Sequence, residues 1–122
     1  MKLVALPQEF SIIKVKEYTP ELFGVSYFFV GGTPTEKSCV CPTDSVPACA
    51  TERSDGWRGF FIEGTLDFSL VGVLSGIANV LAEKKIGILA LSTYDTDYIF
   101  VKKEKFSDAL ASLRKAGYET TE

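Results

Sequence analysis

Apolar residues recur at Leu70, Val73, Leu74, Ile77, Val80 and Leu81. That is the i, i+3, i+4, i+7 rhythm of a helix with one buried face. Asp67 and Ser69 precede it, and a short side-chain oxygen there can accept an orphan N–H of the first turn. Lys84 and Lys85 are expected in its last turn, where cations meet the negative end of the helix dipole. Then the period changes. Ile88-Leu89-Ala90-Leu91 is apolar and too short for another helix, Ser92 to Asp97 is polar, and Tyr98-Ile99-Phe100-Val101 is apolar again. This reads as strand, turn, strand. Phe106, Ala109, Leu110 and Leu113 mark a second one-faced helix, with Arg114 and Lys115 near its end and Gly117 as its stop.

The upstream half repeats the order with weaker helices. Lys2 to Leu6 is a short apolar run stopped by Pro7, and Phe10 to Lys16 alternates like a strand. Thr19-Pro20-Glu21-Leu22-Phe23 allows one helical turn before Gly24. Val25 to Val30 reads as a strand, Gly31-Gly32-Thr33-Pro34 as a turn and Glu36 to Cys41 as the return strand. Residues 42–47 allow at most one more helical turn, and Cys49 to Arg53 a short strand. Ser54-Asp55-Gly56 is turn chemistry and the expected boundary. Trp57 to Glu63 opens the second half.

Both halves thus suggest strand–helix–strand–strand–helix–strand. The predicted fold class is α+β: two ferredoxin-like (βαββαβ) units in tandem, residues 1–56 and 57–122, the first with degenerate helices. Nine strand-like segments compete for eight places, so either Lys2–Leu6 or Tyr118–Thr121 fills the last edge of the second sheet.

Composition narrows the function. Net charge is −3 and the sequence pI about 5.0, which opposes nucleic-acid binding, since that rests on basic surface meeting phosphates. No apolar run approaches the ~20 residues of a membrane span. Pro7, Gln8 and Glu9 interrupt the opening strand, so no signal peptide is read and a cytoplasmic location is expected. Cys39, Cys41 and Cys49 are an odd set without metal-site spacing, and there is no histidine. Cys39 and Cys41 share a strand face and read as small buried hydrophobes. Without histidine the usual triad is excluded. Asp95 and Asp97 sit in a hairpin with no general-acid environment, and no Arg-bearing phosphate loop precedes the long helix. Gly31-Gly32 lacks phosphate-loop spacing. The chain is therefore read as non-catalytic, with no cofactor and no metal.

Two stretches carry candidate binding chemistry. Asp67-Phe68-Ser69-Leu70-Val71-Gly72 leads into the first long helix, whose free N–H groups suit a carboxylate; the plain alternative is a capped helix with Gly72 packed on a strand. Ser92, Thr93, Tyr94 and Asp97 lie in the following hairpin, where Asp97 precedes an apolar strand and could face a ligand cation. Its plain alternative is ordinary turn composition.

Together, Leu66-Asp67-Phe68-Ser69-Leu70-Val71-Gly72 and Ser92-Thr93-Tyr94-Asp95-Thr96-Asp97-Tyr98 resemble the ACT domain, the small-molecule-sensing unit of aspartate kinases. The likeness is closest to the short stand-alone branch that includes the animal cytosolic arginine sensor. It covers Trp57 to Tyr118. It implies an amino-acid ligand held between residues 67–72 and Ser92, Thr93, Tyr94 and Asp97, a homodimer, and a regulated protein partner. By the same resemblance, Lys2–Leu6 is expected to complete the second sheet. Two departures stand out. Ser69 and Leu70 lie where the arginine sensor has an acidic residue, which speaks against arginine. Lys85 stands where many ACT domains have glycine, so a left-handed residue there would be a lysine, at a cost. The runner-up reading is a structural dimerisation or partner-docking module with no ligand.

Overall fold

The computed structural model describes residues 1–64 and 72–122. In chain order the elements are β1 (Lys2–Ala5), β2 (Phe10–Val15), a 3-10 turn (Pro20–Gly24), β3 (Phe29–Gly32), β4 (Lys37–Pro42), a 3-10 turn (Thr43–Ser45) and β5 (Ala50–Ile62). Then follow α1 (Val73–Glu83), β6 (Leu89–Ser92), β7 (Asp97–Lys102), a 3-10 turn (Lys103–Lys105), α2 (Phe106–Lys115) and β8 (Glu119–Thr121). The chain divides into an N-terminal unit, Gln8–Trp57, and a C-terminal unit, Met1–Pro7 with Arg58–Glu122. No helix among the described residues is long and apolar enough to cross a membrane.

In the C-terminal unit the strand order is β6-β7-β5-β1-β8. Both terminal segments are used: β1 pairs antiparallel with the end of β5, and β8 pairs parallel with β1 at the edge. Alternation along the strands sends Leu3, Phe60, Ile62, Ile99 and Val101 to one face, where Ile77, Leu81, Phe106, Leu110 and Leu113 cover them. Each such side chain contributes about 1.5–3 kcal/mol through burial. On β5, a Cβ added to Gly59 would lie 2.6 Å from the Phe100 ring, so only glycine leaves that ring its place.

Both helices end in the same motif. Ile86 N donates to Leu81 O (3.0 Å) and Lys85 N to Ala82 O (2.9 Å); Tyr118 N donates to Leu113 O (3.0 Å) and Gly117 N to Arg114 O (3.0 Å). These are Schellman caps, which need a left-handed residue. Gly117 supplies it at φ 105°, whereas the first helix uses Lys85 at φ 59°, the one non-glycine with positive φ among the described residues. Two sequence expectations need correction here. The helix starts at Val73, with Gly72 (φ 81°) at its N-cap and no side-chain cap, while Asp67, Ser69 and Leu70 lie outside the described residues. Lys84 is the C-cap and Lys85 lies past it, because the left-handed turn ends the helix earlier.

Arg58 braces this unit. Its Nη2 donates to Leu6 O at 3.0 Å and lies 3.7 Å from Glu122 Oε2, and its guanidinium covers the Phe106 ring at 4.3 Å. The guanidinium thus stacks on an aromatic face while its N–H groups tie both chain ends to β5.

In the N-terminal unit the order is β3-β4-β2-β5. Ile13, Val15, Cys39 and Cys41 form one face with Leu22, which the Pro20–Gly24 turn supplies. All three cysteines are free; Cys49 is exposed. A hydrogen bond with Cys39, reinforced by burial, pushes the Cys41 thiol up. The Val25–Val30 strand and the Gly31–Pro34 turn shift forward: β3 is Phe29–Gly32 and the turn is residues 33–36. Glycine is tolerated at this sheet edge, so Gly31-Gly32 did not mark the bend. Ser54-Asp55-Gly56 is not a turn either. It lies inside β5, where Gly56 (φ 82°) accompanies a register irregularity against β2. A bulge and a turn both draw on left-handed glycine, so their signatures coincide. Beside it, buried Ser11 shares a hydrogen bond with Thr43 (2.9 Å) and donates to Asp55 Oδ1 (2.5 Å).

Candidate functional site

The β6–β7 hairpin closes on the pair Ser92 and Asp97. Thr93 N donates to Thr96 O at 2.8 Å, and Thr96 N to Thr93 Oγ1 at 3.4 Å, so the threonines at the two ends of the turn lock each other. Ser92 Oγ donates to Asp97 Oδ1 at 2.6 Å. Asp97 Oδ2 has no partner among the described residues. Among the described residues the carboxylate is thus held on one side only, at a half-buried position where a bound cation would be partly shielded from water. Tyr94 projects from the tip, 80% exposed.

Thr96 fixes where this turn stands. It is buried, and its Oγ1 donates to Ile62 O at 2.7 Å. Ile62 ends β5, so the hairpin turn is pinned to the point where the chain leaves the sheet for the helix. The site is therefore positioned by a strand end and a hairpin, both rigidly paired. Sequence reasoning missed Thr96. Any serine or threonine in a turn can bond to backbone, so composition did not single it out.

Of the predicted site residues, Ser92 and Asp97 are brought into contact, and Thr93 closes the turn beside them. Tyr94 lies at the exposed tip of the same turn. Gly72 stands at the helix start, and its carbonyl accepts from Gly76 N (2.9 Å) and Ser75 Oγ (3.3 Å). Asp67, Phe68, Ser69, Leu70 and Val71 lie outside the described residues.

The N-terminal unit carries the same turn. Its β3–β4 hairpin closes on Gly32 and Lys37, Thr33 N donates to Glu36 O at 2.9 Å, and Glu36 N to Thr33 Oγ1 at 3.1 Å. The bounds Phe29–Gly32, Lys37–Pro42 and Thr43–Ser45 recur at constant spacing as Leu89–Ser92, Asp97–Lys102 and Lys103–Lys105. At the position of Asp97 the first hairpin has Lys37.

The whole chain is similar to solved structures. A structural-genomics protein of Agrobacterium tumefaciens shares 26% identity at TM-score 0.87, over 98% of this chain and 91% of that one. A protein of unknown function from Vibrio cholerae shares 20% identity at TM-score 0.75, over 91% and 85%. The ligand-free regulatory subunit of aspartate kinase from Thermus thermophilus shares 11% identity at TM-score 0.65, over 94% and 96%. At such identities the last two likenesses concern the fold. No curated protein matches this sequence. The ACT domain model matches residues 52–115, which hold the pinned hairpin, both α-helices and most of β5. With more than half of its length matched, the chain belongs to the ACT domain family.

Proposed function

We propose that this chain is a non-catalytic regulatory protein that binds a small molecule, an amino acid, at the Ser92–Asp97 hairpin and the approach to α1. The observation that carries this reading is the preset carboxylate: Asp97 held by Ser92 through one oxygen, the other without a partner among the described residues, on a turn pinned to β5 by Thr96. A ligand ammonium would face Asp97 and the hydroxyls of Ser92 and Thr93. Its carboxylate would take N–H groups at the start of α1, which has no side-chain cap. Residues Asp67 to Gly72 complete the proposed site. The regulatory subunit of aspartate kinase supports a regulatory role by fold likeness.

The finer architecture is part of the proposal. Residues 1–56 hold a degenerate ACT-like unit and residues 57–122 a second, whose sheet the opening strand Lys2–Ala5 completes, with the short turns Pro20–Gly24 and Thr43–Ser45 standing where α1 and the approach to α2 stand in the other. The recurring hairpin supports this. The active form is a two-fold homodimer, working in the cytoplasm on its own or a partner's conformational equilibrium. Light scattering at micromolar concentration tests the dimer, and a monomer mass would refute it. Calorimetric titration with each of the twenty standard amino acids tests the ligand. Saturable heat with one of them is expected; heat with none would favour a ligand-free dimerisation module.

A further inference from the structure

The first hairpin also borders a cleft, of about 410 Å³, within the N-terminal unit. Lys14, Lys16 and Lys37 line it together with the hydroxyl-bearing Thr33, Thr35 and Thr51. Two glutamates reach it as well: Glu52 offsets Lys14, and Glu36 keeps its charge, which leaves two unpaired lysines against one carboxylate. Glu52 Oε2 lies 3.8 Å from Lys14 Nζ, and Glu36 accepts the hydroxyl of Ser38. Lys16 and Lys37 have no ion-pair partner among the described residues. An unpaired lysine is ordinarily a solvated charge. Here two of them, on different strand ends, border one concave space beside backbone held by the Thr33 turn. The cleft is small-molecule sized. It stands against the matching turn of the other hairpin, with Lys37 where the candidate amino-acid site has Asp97 at the closing pair, so the charge at that position is reversed.

We propose that this cleft is a second binding site, for a small multiply charged oxyanion: a dicarboxylate or a phosphate. Lys16 and Lys37 would hold its charge, and threonine hydroxyls would supply neutral donors. A lysine suits such a ligand as a point charge on a flexible stem. The proposal stands apart from the amino-acid reading, because it uses other residues and the opposite charge.

The test is an amide NMR titration of the whole chain with malonate and, separately, inorganic phosphate, at ionic strength held constant with sodium chloride. Saturable shifts are expected at Thr33 to Lys37 and at Thr51 and Glu52, and the anion that saturates first assigns the ligand class. Lys37→Ala and Lys16→Ala should each weaken binding about tenfold, the effect of one charge-assisted hydrogen bond. Both side chains are exposed, so the variants keep the fold, and Lys37→Gln gives a second check that removes the charge but keeps a polar side chain. Asp97→Ala should leave the titration unchanged. Shifts that stay linear for both anions, matching chloride alone, would overturn the proposal. So would an unchanged dissociation constant in the Lys16→Ala, Lys37→Ala double variant.

Discussion

The two hairpins of this chain share a backbone and differ in chemistry. Thr33 and Thr93 each accept the amide three residues ahead, and each turn joins two strands that keep their register. Yet the closing pair is Gly32 with Lys37 in one and Ser92 with Asp97 in the other. The last turn residue is Glu36, bonded outward to Ser38, against Thr96, bonded inward to Ile62 O. A single turn scaffold thus yields a basic edge and an acidic one. Backbone bonding sets the geometry, and the side chains at the closing pair are free to set the charge.

The units differ as strongly in what covers them. In the C-terminal unit two Schellman-capped helices bury Leu3, Phe60, Ile62, Ile99 and Val101. In the N-terminal unit a single 3-10 turn contributes Leu22. Close packing should therefore dominate mutational costs in the former. Gly59→Leu forces a side chain into the Phe100 ring and should destabilise by about 3 kcal/mol or more, read as a drop in urea midpoint; a near-neutral result would show that the ring can move aside.

Thr96→Val comes next. It removes the buried bond to Ile62 O, an expected loss of about 1–3 kcal/mol. Glu36→Ala, at the matching place of the other hairpin, should stay within about 0.5 kcal/mol. Equal losses in the two denaturation curves would erase the contrast between a pinned turn and a free one. Lys85→Gly should act in the opposite direction. It relieves the left-handed strain at φ 59°, offset by a more flexible unfolded chain, so about 1 kcal/mol of stabilisation is expected as a higher melting temperature.

The smallest effect concerns pH and the N-terminal unit alone. Ser11, then Arg53, hold the Asp55 carboxyl below the usual carboxylate range. A depressed carboxyl stabilises the fold above its unfolded pKa of about 3.9, and that contribution fades as pH falls through the lower folded value. Asp55→Asn should therefore be less stable than the parent at neutral pH, with the two acid unfolding curves converging below about pH 4. Parallel curves down to the lowest pH would remove Asp55 from the account.

Much of the fold was legible from periodicity. Ile77 and Leu81, and Phe106, Ala109, Leu110 and Leu113, lie buried on the helix faces where the 3.6 rhythm placed them. The left-handed lysine at residue 85 followed from the resemblance to ACT domains, many of which have glycine at that place; periodicity alone put it in the last helical turn. Positions that rest on left-handed glycine were less readable. Gly56 sits in a bulge rather than a turn, and Gly72 is a cap where Asp67 and Ser69 offered better cap chemistry. At the site, Ser92 and Asp97 were legible as a polar pair flanked by apolar strands. The pin from Thr96 to Ile62 was not, since it joins segments distant in sequence through a carbonyl that every residue carries.

The acidic hairpin, and not its basic counterpart, is the one proposed to hold an amino acid. The most direct test is a thermal-shift screen of the twenty standard amino acids against the parent, Asp97→Ala and Lys37→Ala chains. At about 100 times its dissociation constant a ligand adds ~2.7 kcal/mol, which in a chain of this size raises the melting point by several degrees. Such a shift is expected for at least one amino acid in the parent and in Lys37→Ala, with its loss in Asp97→Ala at an unchanged unliganded melting point. A shift that survives Asp97→Ala, or no shift with any of the twenty, would contradict it.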